Sequence, residues 1–406
     1  MSQSPPLHRG ITSRNLKSAV YVLEGLNAVS TTLFFYYLYF YTQAQFKFGA
    51  LENLILAGCL GYSYACGAYL AGRFAQRFGY FAAVKLGVAM MMAAFLACSL
   101  TTSLKLTLGL VLLGQAGMCL TWPALEALVS EGEPPARLQG LLGIYNFVWA
   151  TSSAVAYFFE GDLLEHWGPK SMFFLPAGLL LVEFILVIWL ERAARREPPA
   201  APADAHPLLH PASEGYRSPV SPKTFLRMSL LANPMAYLAI ITIIAMTPTL
   251  ARRLNFSPKV AGFMFSIWFF SRALAFVGLR LWPGWHYRFR FLAWAYAALM
   301  VSFGAMLVTL DWRVLVVAEV ILGAAVGLIY YSSLFYSMDV GDTKGEHGGI
   351  HEAAIGLGSG TGPAMAALAL TLFPQHSASG AWGVSVVLLL GLGALFYMRF
   401  KDRKAG

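Results

Sequence analysis

The sequence of 406 residues contains few charged side chains, and this scarcity excludes most classes of soluble protein. Only 12% of its residues are Asp, Glu, Lys or Arg, whereas soluble domains carry about 25%. Hydrophobic residues make up 58% of the chain, so a soluble fold would lack the polar side chains needed to cover its surface. A lipid surrounding removes that need, and the composition therefore predicts an all-α integral membrane protein.

Signals for metal or nucleotide chemistry are also missing from the sequence. The four cysteines lie inside apolar segments without the spacing of a metal site, so we interpret them as small packing residues. His351 and Glu352 begin a segment like the zinc motif H-E-x-x-H, but Ile355 stands where the second histidine would be. No phosphate-binding glycine loop is present. We therefore predict no metal, no cofactor and no enzymatic activity.

The net charge of +9 does not indicate a nucleic-acid partner. The basic residues flank apolar segments and form no continuous stripe, which a phosphate backbone would require. The partners that we expect are the lipid bilayer and a small solute, and we expect a monomer.

Long apolar segments are what the sequence has in abundance. A helix needs about 20 apolar residues to cross the hydrocarbon layer. On this basis we predict twelve transmembrane helices, at residues 18–41, 50–72, 81–101, 105–130, 137–160, 171–191, 224–248, 257–280, 291–310, 313–337, 350–373 and 380–399.

A single long polar segment divides these spans into two groups of six. Residues 192–223 begin with basic residues and continue through seven prolines, a composition that cannot bury a core. We interpret this segment as a cytoplasmic linker rich in Pro and Ala. It joins an N-terminal six-helix half, residues 1–191, to a C-terminal half, residues 224–406.

The distribution of Lys and Arg predicts the orientation of the chain. The loops on the side of both termini carry about three times as many basic residues as the loops on the other side. Because cytoplasmic loops are enriched in Lys and Arg, we expect both termini and the linker in the cytoplasm. We expect the plasma (cytoplasmic) membrane as the location.

The loop between the second and third spans resembles a signature of the major facilitator superfamily, G-x-L-a-D-r-x-G-r-[KR]. Gly72, Ala75, Arg77 and Gly79 match it, at the place where the family carries it. Gln76 stands where the family has an aspartate that takes part in a charge relay, and Tyr80 and Phe81 replace its basic pair. The resemblance implies a gating loop at Gly72, Gln76, Arg77 and Gly79, in which Gln76 offers only a neutral hydrogen bond.

The eleventh span resembles a second signature of this superfamily, g-x8-G-x3-G-P. Gly349, Gly358, Gly362 and Pro363 match it, although the family carries it in the fifth span. Small residues allow close approach of two helices and a proline bends one, so we interpret these four residues as helix-packing residues.

The resemblance implies two pseudo-symmetric halves of six helices around a central cavity. In the family, spans 1, 4, 7 and 10 line that cavity, with help from spans 2, 5, 8 and 11. Asn27 and Asn233 occupy equivalent positions in the two halves. Polar or aromatic residues in these spans are candidates for the cavity or for proton coupling: Glu24, Asn27, Trp122, Glu126, Asn146, Asn233, Arg272, Tyr330, Tyr331, His351 and Glu352.

Three of these candidates form a specific hypothesis. Glu24, Glu126 and Arg272 all fall in the inner third of the membrane when the helical rise is counted from the span ends. Charged residues at this depth require a reason. One interpretation is proton coupling through the two carboxylates, and the other is a structural ion pair between Arg272 and one of them.

Three function classes follow from the sequence. The first is a secondary active transporter that moves a small solute by alternating access, with or without proton coupling. The second is an intramembrane enzyme acting on lipid-linked substrates, which the short loops disfavour. The third is a transporter-like receptor without transport activity, which the altered loop at Gln76 allows.

Overall fold

The structure, a computed structural model, describes residues 14–130, 135–196, 220–340, 344–376 and 378–405. It describes side chains for all of these except residue 14 and residues 135–139, 338–339, 344–350 and 403–405. Most of the predicted linker, residues 197–219, lies outside the described residues.

The described residues form an all-α fold without β-strands. The helices before the linker are α1 (Arg14–Phe35), α2 (Leu38–Phe46), α3 (Ala50–Phe78), α4 (Tyr80–Leu100), α5 (Leu104–Ser130), α6 (Pro135–Trp167) and α7 (Ser171–Ala194). Those after it are α8 (Pro222–Arg253), α9 (Pro258–Phe265), α10 (Ile267–Leu281), α11 (Phe289–Val308), α12 (Trp312–Val340), α13 (Lys344–Leu372) and α14 (Ser379–Ala405).

Two of the twelve predicted spans are broken into two helices. The first span consists of α1 and α2, separated at Tyr36 and Tyr37, and the eighth consists of α9 and α10, separated at Ser266. Glu319 of α12 supports the second break, because its Oε2 accepts a 3.1 Å hydrogen bond from the Trp268 backbone N–H in the first turn of α10. The sequence predicted both spans as continuous helices.

Eleven of the predicted spans are helical segments long and apolar enough to cross a membrane. The first span does not reach this hydropathy, since α1 carries Glu24, Asn27 and several Ser and Thr residues. The observed helices extend beyond the predicted limits in places. The largest difference is in α6, which continues to Trp167, and α3, α13 and α14 also extend beyond their limits, to Phe78, back to Lys344 and to Ala405.

Local sequence signals explain several helix ends. The Ser221 and Ser257 side chains accept hydrogen bonds from the backbone N–H groups of Thr224 and Val260, and a proline follows each of these serines. This combination is the preferred start of an α-helix. Gly79 joins α3 to α4 with a φ of 94°, a conformation that favours glycine.

The two groups of helices meet along two symmetry-related seams. In the first seam α3 packs antiparallel to α13, and in the second α6 packs against α9 and α10. The first seam has no room for side chains at its centre. A Cβ atom added to Gly61 would lie 2.2 Å from the Gly360 backbone nitrogen, and one added to Gly356 would lie 2.5 Å from the Ala65 nitrogen.

Apolar side chains cover the outside of the bundle. Leu100 is 84% exposed and Leu281 is 77% exposed. Exposing these side chains to water would cost free energy, whereas exposing them to lipid would not. Exposed tryptophans lie near helix ends, as at Trp167, Trp282 and Trp312. Tryptophan concentrates at the boundary between membrane and water, so these positions mark the two interfaces.

Each group of helices is closed by polar contacts at the linker side, the side on which α7 ends and α8 begins. Lys85 at the start of α4 contacts Glu191 of α7 at 2.7 Å, and Arg195 contacts the same carboxylate at 2.9 Å. In the second group, Asp402 of α14 accepts hydrogen bonds from the Ser221 backbone N–H at 2.6 Å and the Thr224 hydroxyl at 3.0 Å.

Candidate functional site

A central cavity of about 160 Å³ lies between the two groups of helices. Helices from both groups contribute to it, and the broken first span lines one wall. The lining residues are Thr31, Thr32, Phe35, Tyr36, Tyr39, Ala57, Leu60, Gly61, Tyr64, Gln115, Met118, Trp122, Glu126, Tyr145, Trp149, Ser153, Tyr237, Ile241, Ile244, Tyr330, Glu352, Ile355 and Ser359.

Aromatic rings form a connected wall in this cavity. The Trp149 ring lies at its centre, with ring centroids 6.1 Å from Trp122 and 5.6 Å from Tyr330, both in edge-to-face geometry. Tyr237 extends the wall, 6.4 Å from Tyr330. Edge-to-face contacts hold such rings in fixed orientations, which leaves faces and edges available to a solute.

Two carboxylates, Glu126 of α5 and Glu352 of α13, line the same cavity. Glu352 Oε2 accepts a 2.6 Å hydrogen bond from the Tyr64 hydroxyl. Among the described residues Glu126 has no hydrogen-bond or ion-pair partner, and it lies within electrostatic range of Glu352. The cavity therefore has an acidic part in which the described residues supply only some of the hydrogen-bond donors that the carboxyl oxygens can accept from.

Glu24 lies behind this acidic part and not in the lining. Its side chain is completely buried, next to Tyr145 and within electrostatic range of Glu183, Glu126 and Glu352. Four carboxyl groups thus concentrate in one region of the bundle. Glu183 of α7, which was not among the sequence candidates, belongs to the same buried region.

Arg272 does not pair with any of these carboxylates. Its guanidinium stacks on Trp149, Trp268 and Phe269, at 4.3, 4.8 and 5.1 Å from the ring centroids. Its Nε and Nη2 atoms are buried without a hydrogen-bond acceptor among the described residues. The expected cluster of Arg272 with Glu24 and Glu126 is therefore replaced by a stack of a cation on aromatic rings.

Four of the eleven sequence candidates line the cavity, namely Trp122, Glu126, Tyr330 and Glu352. The other seven, Glu24, Asn27, Asn146, Asn233, Arg272, Tyr331 and His351, are buried outside the lining. Some of these position a lining residue from behind. Asn146 Oδ1 accepts a 2.9 Å hydrogen bond from Trp149 Nε1, and the His351 ring contacts Tyr330 with centroids 5.7 Å apart.

The remaining sequence candidates lie in the loop after α3 and in α13. Gln76 and Arg77 are exposed in the last turn of α3, and Gly79 follows with its positive φ. Gly358 and Gly362 pack against α8, where added Cβ atoms would lie 2.1 Å from the Pro234 carbonyl and 2.2 Å from the Leu238 carbonyl. Gly72 is a half-buried residue within α3, Pro363 lies within α13, and Gly349 falls among the residues whose packing is not described.

Sequence reasoning missed most of the aromatic lining. Tyr145, Trp149 and Ser153 are spaced by four residues on α6, and Met118, Trp122 and Glu126 show the same spacing on α5. Residues four apart share one helix face. Extending the predicted Trp122 and Glu126 by this spacing would have found Met118 on α5. The one predicted residue of α6, Asn146, does not lead to Trp149 by the same step.

An ion pair closes the side opposite the linker. Lys259 at the start of α9 contacts Asp162 near the end of α6 at 2.6 Å, and its backbone N–H donates to Glu165 Oε1 at 2.8 Å. The helices touch there without a gap, because an added Cβ at Gly161 would lie 2.0 Å from the Pro258 carbonyl. The cavity is therefore separated from this side by contacts between the two groups of helices.

Fold and cavity together define a class of protein. An α-helical membrane protein with two groups of helices meeting around a buried central cavity has the architecture typical of secondary transporters. Among the described residues, no group of His, Cys, Asp or Glu could hold a metal ion.

Residues 20–363 match the Major Facilitator Superfamily, and the chain belongs to this family. A search of curated protein sequences finds no match. Among solved structures, the nucleoside transporter NupG has a TM-score of 0.68 at 14% identity, covering 94% of this chain and 99% of its own. The human organic anion transporter MFSD10 (TETRAN) has a TM-score of 0.68 at 13% identity, covering 97% and 100%.

A bacterial homolog of the human lysosomal transporter Spinster, in an inward-facing conformation, is also similar in fold. Its TM-score is 0.63 at 15% identity, and the match covers 97% of this chain and 98% of that one. The family and these folds confirm the prediction of a membrane transporter and exclude the alternative of an intramembrane enzyme.

Proposed function

We propose that this protein is a secondary active transporter that moves a small organic solute by alternating access, with proton coupling through its buried carboxyl groups. The observation that carries the proposal is the central cavity with Glu126 and Glu352 in its lining and Glu24 behind them. Residues 1–191 and 224–406 act as the two moving halves, joined by residues 192–223.

The contacts between the halves support alternating access. On the side opposite the linker, α6 and α9 meet through Lys259 and Asp162 and through the close approach of Gly161 to Pro258. Such contacts close one entrance, and their separation opens it. A rocking motion of the two halves around the cavity requires this kind of contact, which can be broken at low cost because the ion pair is partly exposed.

The buried carboxyl groups support proton coupling. A charged carboxylate is costly to bury away from water, so a carboxyl group that alternates between a wet and a dry surrounding exchanges a proton. Glu24 is fully buried, whereas Glu126 faces the cavity. We propose that the two carboxyl groups take up and release the coupled proton, with both termini in the cytoplasm and the protein acting as a monomer in the plasma membrane.

The test begins with a solute that raises the melting temperature of the purified protein. Proteoliposomes containing the protein should accumulate this solute when a proton gradient is imposed, and a proton ionophore should prevent accumulation. Glu24→Gln and Glu126→Gln should abolish accumulation and spare solute exchange, because exchange requires no net proton movement. Glu319→Gln is the matched control, a buried carboxylate outside this region.

If both variants accumulate the solute against a gradient as well as the parent protein, proton coupling through these groups is wrong. The remaining alternative is a transporter-like receptor, which Gln76 in place of the family's aspartate allows. A receptor would bind the solute but would catalyse neither accumulation nor exchange.

A further inference from the structure

The described lining of the cavity contains acidic side chains and no basic ones. Glu126 and Glu352 are the charged residues in the described lining, which contains no Lys, Arg or His. An anionic solute would therefore meet two carboxylates and no cationic partner. The charge of the lining favours a cation.

The acidic side chains have acceptor capacity that the protein does not use. Glu352 is only 8% exposed, and its Oε2 is bound by Tyr64 while Oε1 has no donor among the described residues. Glu126 has no partner at all among them and faces the same space. A carboxylate in a site that holds little water is stabilised by a positive group beside it, so these oxygens are available to bind one when the carboxyl groups are ionised.

The aromatic wall indicates that this positive group is organic. Trp122, Trp149 and Tyr330 surround the space beside the carboxylates, and ring faces attract a cation that has lost its water. A small inorganic cation would be held by the carboxylates alone and would leave the aromatic part of the cavity unfilled. A cation with apolar substituents would fill both parts.

Arg272 does not offer an anion site in this arrangement. Its guanidinium is stacked on Trp149 and is absent from the described lining, so a solute in the cavity does not reach it. We propose that the cavity selects an organic cation, with its ammonium group between Glu126 and Glu352 and its apolar groups against Trp149, Trp122 and Tyr330. This inference rests on the proposed function and names the substrate class of the same cavity.

The experiment compares three probes of similar shape on the purified protein. The cation is 3-hydroxyphenyltrimethylammonium, the neutral probe is 3-tert-butylphenol, and the anion is 3-hydroxybenzenesulfonate. The first two differ mainly in charge, and the quaternary ammonium cannot lose a proton. Titration calorimetry should show the cation binding about tenfold more tightly than the neutral probe, and the anion binding more weakly than both.

Two variants and a control locate the selectivity. Glu126→Gln and Glu352→Gln keep the size of the side chain and remove its charge, so each should reduce the preference for the cation. Glu160→Gln, a buried residue of α6 outside the lining, should leave the preference unchanged. The comparison of the three probes on the parent protein remains decisive if a variant fails to fold.

Equal binding of the cation and the neutral probe, a preference for the sulfonate, or no binding of the cation at millimolar concentration would each overturn the inference. Selective binding of the cation with no uptake into proteoliposomes would support the inference and contradict the proposed function. Uptake of a neutral solute without selective binding of the cation would support transport, as in the proposed function, and contradict the inference.

Discussion

The guanidinium carbon of Arg272 lies 4.3 Å from the centre of the Trp149 ring, and this contact joins the two halves of the protein. Arg272 belongs to α10 and Trp149 to α6, and Trp149 also lines the central cavity. One aromatic side chain therefore contacts both the solute space and a buried cation of the opposite half. A solute that contacts Trp149 would therefore lie on the same ring as Arg272.

We expect Arg272→Lys to weaken this interface. A lysine keeps the charge but loses the planar guanidinium that stacks on the rings, and a cation–π contact contributes about 0.5–2 kcal/mol. The melting temperature of the purified protein should therefore fall. Arg280→Lys is the control, because Arg280 is an exposed residue of the same helix. Equal melting temperatures for Arg272→Lys and the parent protein would show that the stack adds nothing to stability.

We expect Gly61→Ala to destabilise the seam between α3 and α13. The added methyl group would lie 2.2 Å from the Gly360 backbone nitrogen, so the two helices must separate. Overpacking of this kind costs about 1–3 kcal/mol. The comparison is with Gly304→Ala in α11, where the added Cβ has open space around it. Thermal unfolding in detergent measures both variants, and the prediction fails if they unfold at the same temperature.

The ion pair between Lys259 and Asp162 should help to close the side opposite the linker. Lys259→Glu places a new negative charge beside Asp162 and Glu165, and repulsion should favour separation of α6 from α9. A cysteine placed at Ser153 in the cavity, in a protein without its native cysteines, should then react faster with an impermeant thiol reagent added from this side.

The exchange of the two charges provides the control for this experiment. Asp162→Lys combined with Lys259→Glu restores an opposite pair at the same place, so the reaction of the cysteine at Ser153 should slow toward that of the parent protein. Because both side chains are partly exposed, the pair stabilises the closed side only weakly, and the change in rate should be a few-fold. A double variant as reactive as Lys259→Glu alone would rule out the ion pair as the cause.

The orientation of the protein can be tested with single cysteines in a background without the native four. Cysteines at Ser13, Ala203 and Ala405 should not react with an impermeant reagent in intact cells, because the excess of Lys and Arg on their side predicts that these positions are cytoplasmic. A cysteine at Ser103, an exposed residue between α4 and α5, should react and serves as the positive control. Reaction of the cysteine at Ala203 would reverse the predicted orientation.

The fold could be predicted largely from hydropathy, because each span must bury its backbone polar groups in a helix of its own. The same rule could not show the breaks at Tyr37 and Ser266. These breaks depend on tertiary contacts, such as the Glu319 carboxylate that accepts a hydrogen bond from the first turn of α10. The polar residues of α1 also lower its mean hydropathy. The helix can contain them because they are buried against protein and do not face lipid.

The candidate site could be predicted only in part. Glu126 and Glu352 were recognisable as costly residues within spans, and both line the cavity. The same argument predicted that Arg272 lies beside the carboxylates. It used only the depth of each residue in the membrane and not the direction in which its side chain leaves the helix. In the structure the side chain of Arg272 lies on the face of α10 that packs against three aromatic rings. Those rings stabilise the guanidinium cation without a carboxylate.

The hydrogen bonds of Asp402 have a consequence for the order in which the chain assembles. The Ser221 backbone N–H and the Thr224 hydroxyl at the start of α8 find this acceptor only at the end of α14, 181 residues after Ser221 in the chain. Until α14 has been translated, these two groups must donate to water or to another acceptor. The second half thus gains these polar contacts only after residue 402 has been translated, which makes synthesis of α14 a condition for its finished packing.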